Sequence, residues 1–497
     1  MDWMNPISVL FLFALTLAFL WKRSDFWKSS GKNLPPGPRP LPLIGNLHLL
    51  DLKRPHGTML KLSKQYGPVF SFQLGFQKMV VLSGYKTVKE ALVNQADAFV
   101  DRPKIPVFDD AEHGHGIVFS NGENWKVMRR FAITTLRDYG MGKKTIEDRI
   151  VEECRCLIQK FESFEGKPFE TTRIMNASVA NIIASILLGK RYDYEDSTLI
   201  KLLKLVNENV RALGTPSVLL YNMFPALGFL SGGRKIILKN AREMYDFIQA
   251  TFLEHLKVLD VNDQRSFIDA FLIQQQEEKN KNQSNEFFHN ENLKAVVATL
   301  FGAGMETTST TLRWGLLLMM KYPEIQKKVQ EEITKVIGSA QPRIEHRAKL
   351  PYTDAVVHEV QRFGNIAPAG APHATTADVT LGGYFIPKGT HIIPLLYSVL
   401  YDESEWEKPF KFYPEHFLDS EGKFVKRDAF LPFSAGRRVC AGETLARMEL
   451  FLFFVTLLQR FTFQPAPGMS REDLDLTPVV GSTLSPIPYK FCALPRS

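Results

Sequence analysis

Long amphipathic patterns constrain this chain more than any other feature: apolar residues recur at helical spacing over residues 143–163, 171–188, 235–259, 292–321, 323–337 and 442–460. Each such helix must cover its apolar stripe, so several in succession specify a helical core rather than a sandwich or barrel. Strand character is confined to residues 71–82, broken by Gly75 as in a hairpin, and to short pieces near 379–386 and 390–394. The polar stretch 274–290 is too short for a domain linker and is expected to be an exposed loop, and no fixed-period repeat occurs. With 45% hydrophobic residues in 497, such helices can enclose one large core. The expected fold is mainly α with small β-sheets, as one domain over residues 46–497.

Two short segments precede that domain. Residues 7–21 are uncharged and apolar, with Asp2 before them and Lys22, Arg23, Lys28 and Lys32 after them. Trailing positive charge keeps that side cytosolic, and a cleaved signal would carry the opposite flank and a small-residue cleavage site. Residues 1–21 are therefore expected to be an uncleaved signal anchor in a single-pass protein. Residues 22–45 are basic and then proline-rich, and Pro35, Pro36, Pro38, Pro40 and Pro42 remove backbone donors and fix φ, as in a stiff hinge. Asn176-Ala-Ser178 and Asn282-Gln-Ser284 match the glycosylation pattern, but a cytosolic body makes them chance matches.

The net charge of +8 is scattered rather than gathered into a stripe, which excludes a nucleic-acid partner and fits docking to an acidic protein or anionic lipid. Of the four cysteines, Cys154 and Cys156 lie one residue apart in a helical pattern and cannot bridge each other, and no His or Cys cluster accompanies them as a zinc site needs. This is the usage of a reduced compartment.

Cys440 differs by position. It lies between Gly436 and Gly442, immediately before the helical pattern that ends at residue 460. Backbone N–H groups and the positive end of a helix dipole stabilise a thiolate there, and glycines let a chain pass close to a flat cofactor. The run Phe433, Gly436, Arg438, Cys440, Gly442 meets the whole FxxGxRxCxG pattern. Here the chain resembles the cytochrome P-450 superfamily. The resemblance implies haem b with the Cys440 thiolate as the iron's axial ligand, donating electron density that favours O–O cleavage. Arg438 would contact a haem propionate.

Other motifs follow in the family's order. Glu359 and Arg362 stand at i and i+3 on one helical face. With Phe412-Tyr413-Pro414-Glu415-His416 they resemble the family's buried Glu–Arg network, although His416 replaces the usual Arg. Within 292–321, the insert Gly302-Ala303-Gly304-Met305-Glu306-Thr307-Thr308-Ser309-Thr310-Thr311 is a poor choice for a packing helix. Its hydroxyls can bond back to carbonyls, bend the helix and open its ladder. The resemblance makes it an oxygen groove in which Glu306 and Thr307 supply and steer protons to dioxygen. Trp125 and Arg129, one turn apart, suit a carboxylate and would hold haem propionates together with His373. His113 stands where relatives carry a basic propionate contact. By the same resemblance the substrate pocket takes Phe108, Phe119, Phe301, Ala303, Ile366, Ala367, Ala369 and Thr483, small or apolar residues that suit an apolar ligand.

The resemblance covers essentially the whole chain and is closest to the microsomal family 2 enzymes. It implies insertion of one atom of O2 into xenobiotics, fatty acids or steroids, by hydroxylation or epoxidation, with electrons from NADPH through cytochrome P-450 reductase. Cytochrome b5 and membrane lipid are further partners, and the endoplasmic reticulum membrane is the implied location. Lys126, Arg130 and Arg437 are candidates for docking the reductase. A haem-thiolate sensor without oxygen turnover is the rival reading, and the Glu306–Thr307 pair argues against it. A tethered binding domain with four incidental cysteines would require every motif match to be coincidence.

Overall fold

The computed structural model describes residues 33–142, 144–280 and 286–496. The expected anchor, the hinge before residue 33, and Asn282 and Ser284 lie outside the described residues. Among the described residues no helix is long and apolar enough to cross a membrane.

The principal helices are α1 (Pro55–Tyr66), α2 (Pro106–Glu112), α3 (Gly122–Asp138), α4 (Lys144–Glu162), α5 (Thr172–Leu187), α6 (Ser197–Leu213), α7 (Gly232–Lys257), α8 (Phe267–Asn280), α9 (Asn290–Lys321), α10 (Pro323–Val336), α11 (Pro351–Gly364) and α12 (Glu443–Arg460). Each of the six amphipathic patterns is a helix within a few residues of its expected ends. The stretch expected as a loop from 274 is helical to Asn280, because it continues α8 and carries that helix's buried Gln275.

The hairpin expected at 71–82 is β1 (Val69–Leu74) and β2 (Gln77–Leu82), with Gly75 at φ +57 in the turn. It forms a four-stranded sheet with β3 (His373–Ala374) and β4 (His391–Pro394) in the order β1-β2-β4-β3, where β2 and β4 run parallel. The described part of the proline segment docks on this sheet: the Ser71 N–H donates to the Pro36 carbonyl at 2.7 Å, and a Cβ on Gly37 would lie 2.2 Å from the Ser71 carbonyl oxygen.

α9 is buried on every side from Thr308 to Met320, which places it at the centre of the domain. α5 packs along it, and α12 crosses it with residues Leu450–Leu458 wholly buried. Asn176 is fully buried on α5, with its Nδ2 bonded to Asn207 Oδ1 at 3.1 Å, so it cannot accept a glycan. The described cysteines are all free thiols.

Candidate active site

The segment before α12 turns on Gly436 at φ +75, where a Cβ would lie 1.7 Å from the Leu92 carbonyl oxygen. A close backbone crossing therefore requires this glycine. Cys440 follows, solvent-accessible within a recess, with its sulfur accepting from the N–H groups of Gly442 and Glu443. Burial in that recess raises the thiol above its ordinary value, against the lowering effect of those N–H groups and of the Arg129 guanidinium. The expected stabilisation by a helix start is present, but in the protein alone desolvation outweighs it. A coordinating cation reverses that balance, because it takes up the charge on sulfur directly.

Beside Cys440 lies a cluster of three guanidiniums. Arg438 donates to the carbonyls of Val100 and Ser120 at 2.8 Å and stacks 3.9 Å over the Trp125 ring. Arg129 donates to the Val439 carbonyl. Arg102 donates to the carbonyls of Ala371 at 3.0 Å and Pro372 at 2.7 Å. None of the three makes a salt bridge among the described residues. Burial and mutual repulsion lower Arg438 to about 8, and burial with Arg129 lowers Arg102 to about 9. His373 donates its Nδ1–H to the Phe99 carbonyl at 2.7 Å, and burial, Arg102 and Arg438 lower it to about 3, so it is neutral. The Trp125 indole N–H is buried and unpartnered.

An uncompensated cation cluster next to an orphaned donor is built for an anion. A pair of carboxylates fits it, and so does the thiol that faces the same recess. Trp125, Arg129, His373, Arg438 and Cys440 are thus brought together as expected. Arg102 joins them without having been recognised in the sequence, where it is one arginine among many with no motif around it. His113 is not part of the cluster: it is exposed at the left-handed C-cap of α2.

On α9, Thr307 bonds back to the Ala303 carbonyl at 2.8 Å and Thr311 to the Thr307 carbonyl at 2.9 Å, the i−4 pattern expected of clustered hydroxyls, although the helix is continuous over Asn290–Lys321. The buried Glu306 carboxylate accepts from Thr310 Oγ1 and Thr483 Oγ1, both at 3.1 Å. Arg313 donates to Thr310 Oγ1 at 2.9 Å and to Thr172 Oγ1 at 3.0 Å, so a hydroxyl–guanidinium chain extends from Glu306 toward α5.

A cavity of about 340 Å³ includes Glu306 and Thr307 in its wall, along with Phe108, Phe119, Ala303 and Thr483. Phe108 and Phe119 are stacked at 4.0 Å. Phe301, expected in the wall, is instead 3% exposed and turned into the core, because it sits about 200° around the helix from Ala303. Ile366, Ala367 and Ala369 are half-buried outside this wall, where the Ile366 carbonyl accepts from Leu484 N–H at 2.9 Å. The wall also takes Ala241, Met244 and Tyr245 of α7, and Glu112, Ala298 and Thr299. These were hidden in the sequence because a cavity-facing stripe has the same period as a packed one.

Behind the cysteine loop, Glu359 and Arg362 are fully buried and joined by two bonds of 2.7 Å. The remaining Arg362 donors reach the carbonyls of Leu400, Pro409 and Lys411. The Glu359 carboxylate also accepts from Tyr413 N–H at 2.8 Å and meets His416 Nδ1 at 3.2 Å. His416 Nε2 accepts from Lys408 N–H, so Nδ1 carries the proton and donates. His416 thereby joins the buried Glu359–Arg362 pair.

The fold is a mainly helical domain whose recess sets one thiol beside an anion-binding cluster, and comparison with known proteins gives the family. The cytochrome P450 family model matches residues 35–493. The chain is 54% identical over 457 residues to cytochrome P450 2K6 of Danio rerio, covering 92% of this chain and 90% of the relative. It is 53% identical over 489 residues to cytochrome P450 2K1 of Oncorhynchus mykiss, covering 98% and 96%. To cytochrome P450 2C5 of Oryctolagus cuniculus it is 47% identical over 497 residues, covering 99% and 100%. The chain belongs to the cytochrome P450 family, within its family 2, and is a P450 monooxygenase.

Proposed function

We propose that this monooxygenase holds haem b through the Cys440 thiolate and inserts one oxygen atom into apolar small molecules: xenobiotics, fatty acids or steroids. The observation that carries this is a recess that presents one thiol beside three guanidiniums without acid partners and an unpartnered indole N–H. Arg102, Arg129, Arg438 and Trp125 would bind the propionates, with His373 beside them. When bound, the haem supplies the activation of dioxygen and its transfer to a C–H or C=C bond.

The chain's own residues do the rest. The apolar wall around Phe108, Phe119 and Ala303 orients the substrate and excludes water. Glu306 relays protons through its carboxylate, and Thr307 Oγ1 steers a proton to dioxygen so that one oxygen leaves as water. Lys126, Arg130 and Arg437 are exposed and form the docking face for a reductase that passes on electrons from NADPH, with cytochrome b5 as a second partner. Residues 1–21 and 22–45 would tether the domain of residues 46–497 to the cytosolic face of the endoplasmic reticulum.

The test is carbon monoxide added to the reduced holoprotein. A strongly red-shifted Soret band is expected, and a band at the histidine-haem position in folded protein would overturn the thiolate. Thr307→Ala should divert electrons to peroxide. Unchanged coupling would remove Thr307 from proton delivery, whereas a wild-type protein that consumes no oxygen would favour the haem-thiolate sensor.

A further inference from the structure

The cavity wall contains one acid that neither proton delivery nor packing explains. Glu112, the last residue of α2, lines the cavity of about 340 Å³ and receives the Thr299 hydroxyl on its carboxylate. Its Oε2 is buried and has no donor. No salt bridge includes Glu112 among the described residues. The nearest ring with a polar end, Tyr245, sends its hydroxyl to the Ala111 carbonyl at 3.3 Å rather than to the carboxylate. Its surroundings in the wall are apolar or neutral: Phe108, Ala111, Met244 and Ala298.

A buried carboxyl oxygen left bare forfeits a hydrogen bond, so a ligand that supplies the missing donor is favoured over one that does not. Burial pushes this carboxyl up to about 8, and a cation brought against it would favour its charged form. The terminal torsion of a Glu side chain is soft and roughly two-fold, so a small rotation turns Oε2 toward the cavity.

We propose that Glu112 is the polar anchor of the substrate pocket and selects otherwise apolar molecules that carry a basic amine. This rests on the monooxygenase reading above and deepens it. The anchor also sets where oxidation falls. Its partner Thr299 and the proton-steering Thr307 stand eight residues apart on α9, about 12 Å along the helix axis. A molecule whose ammonium is held at Glu112 therefore presents to Thr307 a carbon about 12 Å from its nitrogen, and oxidation falls there rather than next to the nitrogen.

The experiment is isothermal titration of the full-chain holoenzyme with three ligands of equal chain length: a dimethylalkylamine, the corresponding alcohol and the corresponding carboxylate. In the wild type the amine should bind about tenfold more tightly than the alcohol, and the carboxylate more weakly than either. Glu112→Gln should remove the amine's advantage and leave alcohol binding within about twofold, while Glu112→Asp retains part of it. An amine no tighter than the alcohol in the wild type overturns the proposal, as does an amine preference that survives Glu112→Gln. The carbon monoxide band of each reduced variant shows separately that it is folded and haem-loaded. Loss of the thiolate band in the wild type would overturn the haem-thiolate reading, whereas loss of amine selectivity with the band intact overturns only the anchor.

Discussion

Arg362→Lys keeps the charge of the buried pair and tests whether geometry or charge holds the region behind the cysteine loop. Arg362 is 0% exposed, and its five N–H groups make five bonds, two to Glu359 and three to the carbonyls of Leu400, Pro409 and Lys411. Its guanidinium also lies 5.3 Å from the Tyr401 and Trp406 rings. An ammonium has three donors on a single atom and cannot reach acceptors spread along a planar fork. At least two buried acceptors lose their partner. At about 1–3 kcal/mol for each, the cost is about 2–6 kcal/mol, against a net stability of about 5–15 kcal/mol for a typical domain. Urea unfolding followed by circular dichroism should show a large fall in midpoint, with loss of haem early in the transition. A variant with the wild-type midpoint would show that charge alone suffices and that the five-bond accounting is mistaken.

Three further outcomes follow from the same geometry. His416→Ala removes one donor from Glu359 and strips Lys408 N–H of its acceptor, so it should destabilise by about 1–3 kcal/mol in the same urea assay, a loss overlapping the low end of that for Arg362→Lys. Trp125→Phe removes an indole N–H with no protein partner, so the melting temperature of the haem-free protein should hardly change while the holoprotein loses haem faster to an acceptor globin; equal loss rates would dismiss the propionate role. Glu449 is fully buried against Thr308, and burial raises it to about 8, so the folded state keeps a proton that the unfolded chain releases near pH 4.3. Stability therefore falls as pH rises from about 4.3 to about 8, and Glu449→Gln should flatten that fall in a melting series against pH.

Much of the architecture was legible because helical periodicity is a local property. The six patterns from residue 143 to 460 became α4, α5, α7, α9, α10 and α12, and Gly75 marked a real turn. α8 was partly misread because its polar second half masks the buried Phe267, Phe271 and Leu272 of its first. Phe301 was misplaced for a different reason: an apolar residue next to a groove reads the same whether it faces the groove or the core, and only the rotation of α9 decides which.

The site divides along the same line. From sequence alone come Cys440 at a helix start, the Glu359–Arg362 pair, the Glu306–Thr307 pair and the Trp125–Arg129 turn, since in each the chemistry is carried by residues close together in the chain. Only the tertiary structure decided that Arg102 joins Arg129 and Arg438, that His113 stands apart, and that Glu112 meets Thr299 in the cavity wall. Those outcomes depend on burial and on the meeting of distant segments, which set the electrostatic cost of each charge and cannot be read from the spacing of residues along one strand of chain.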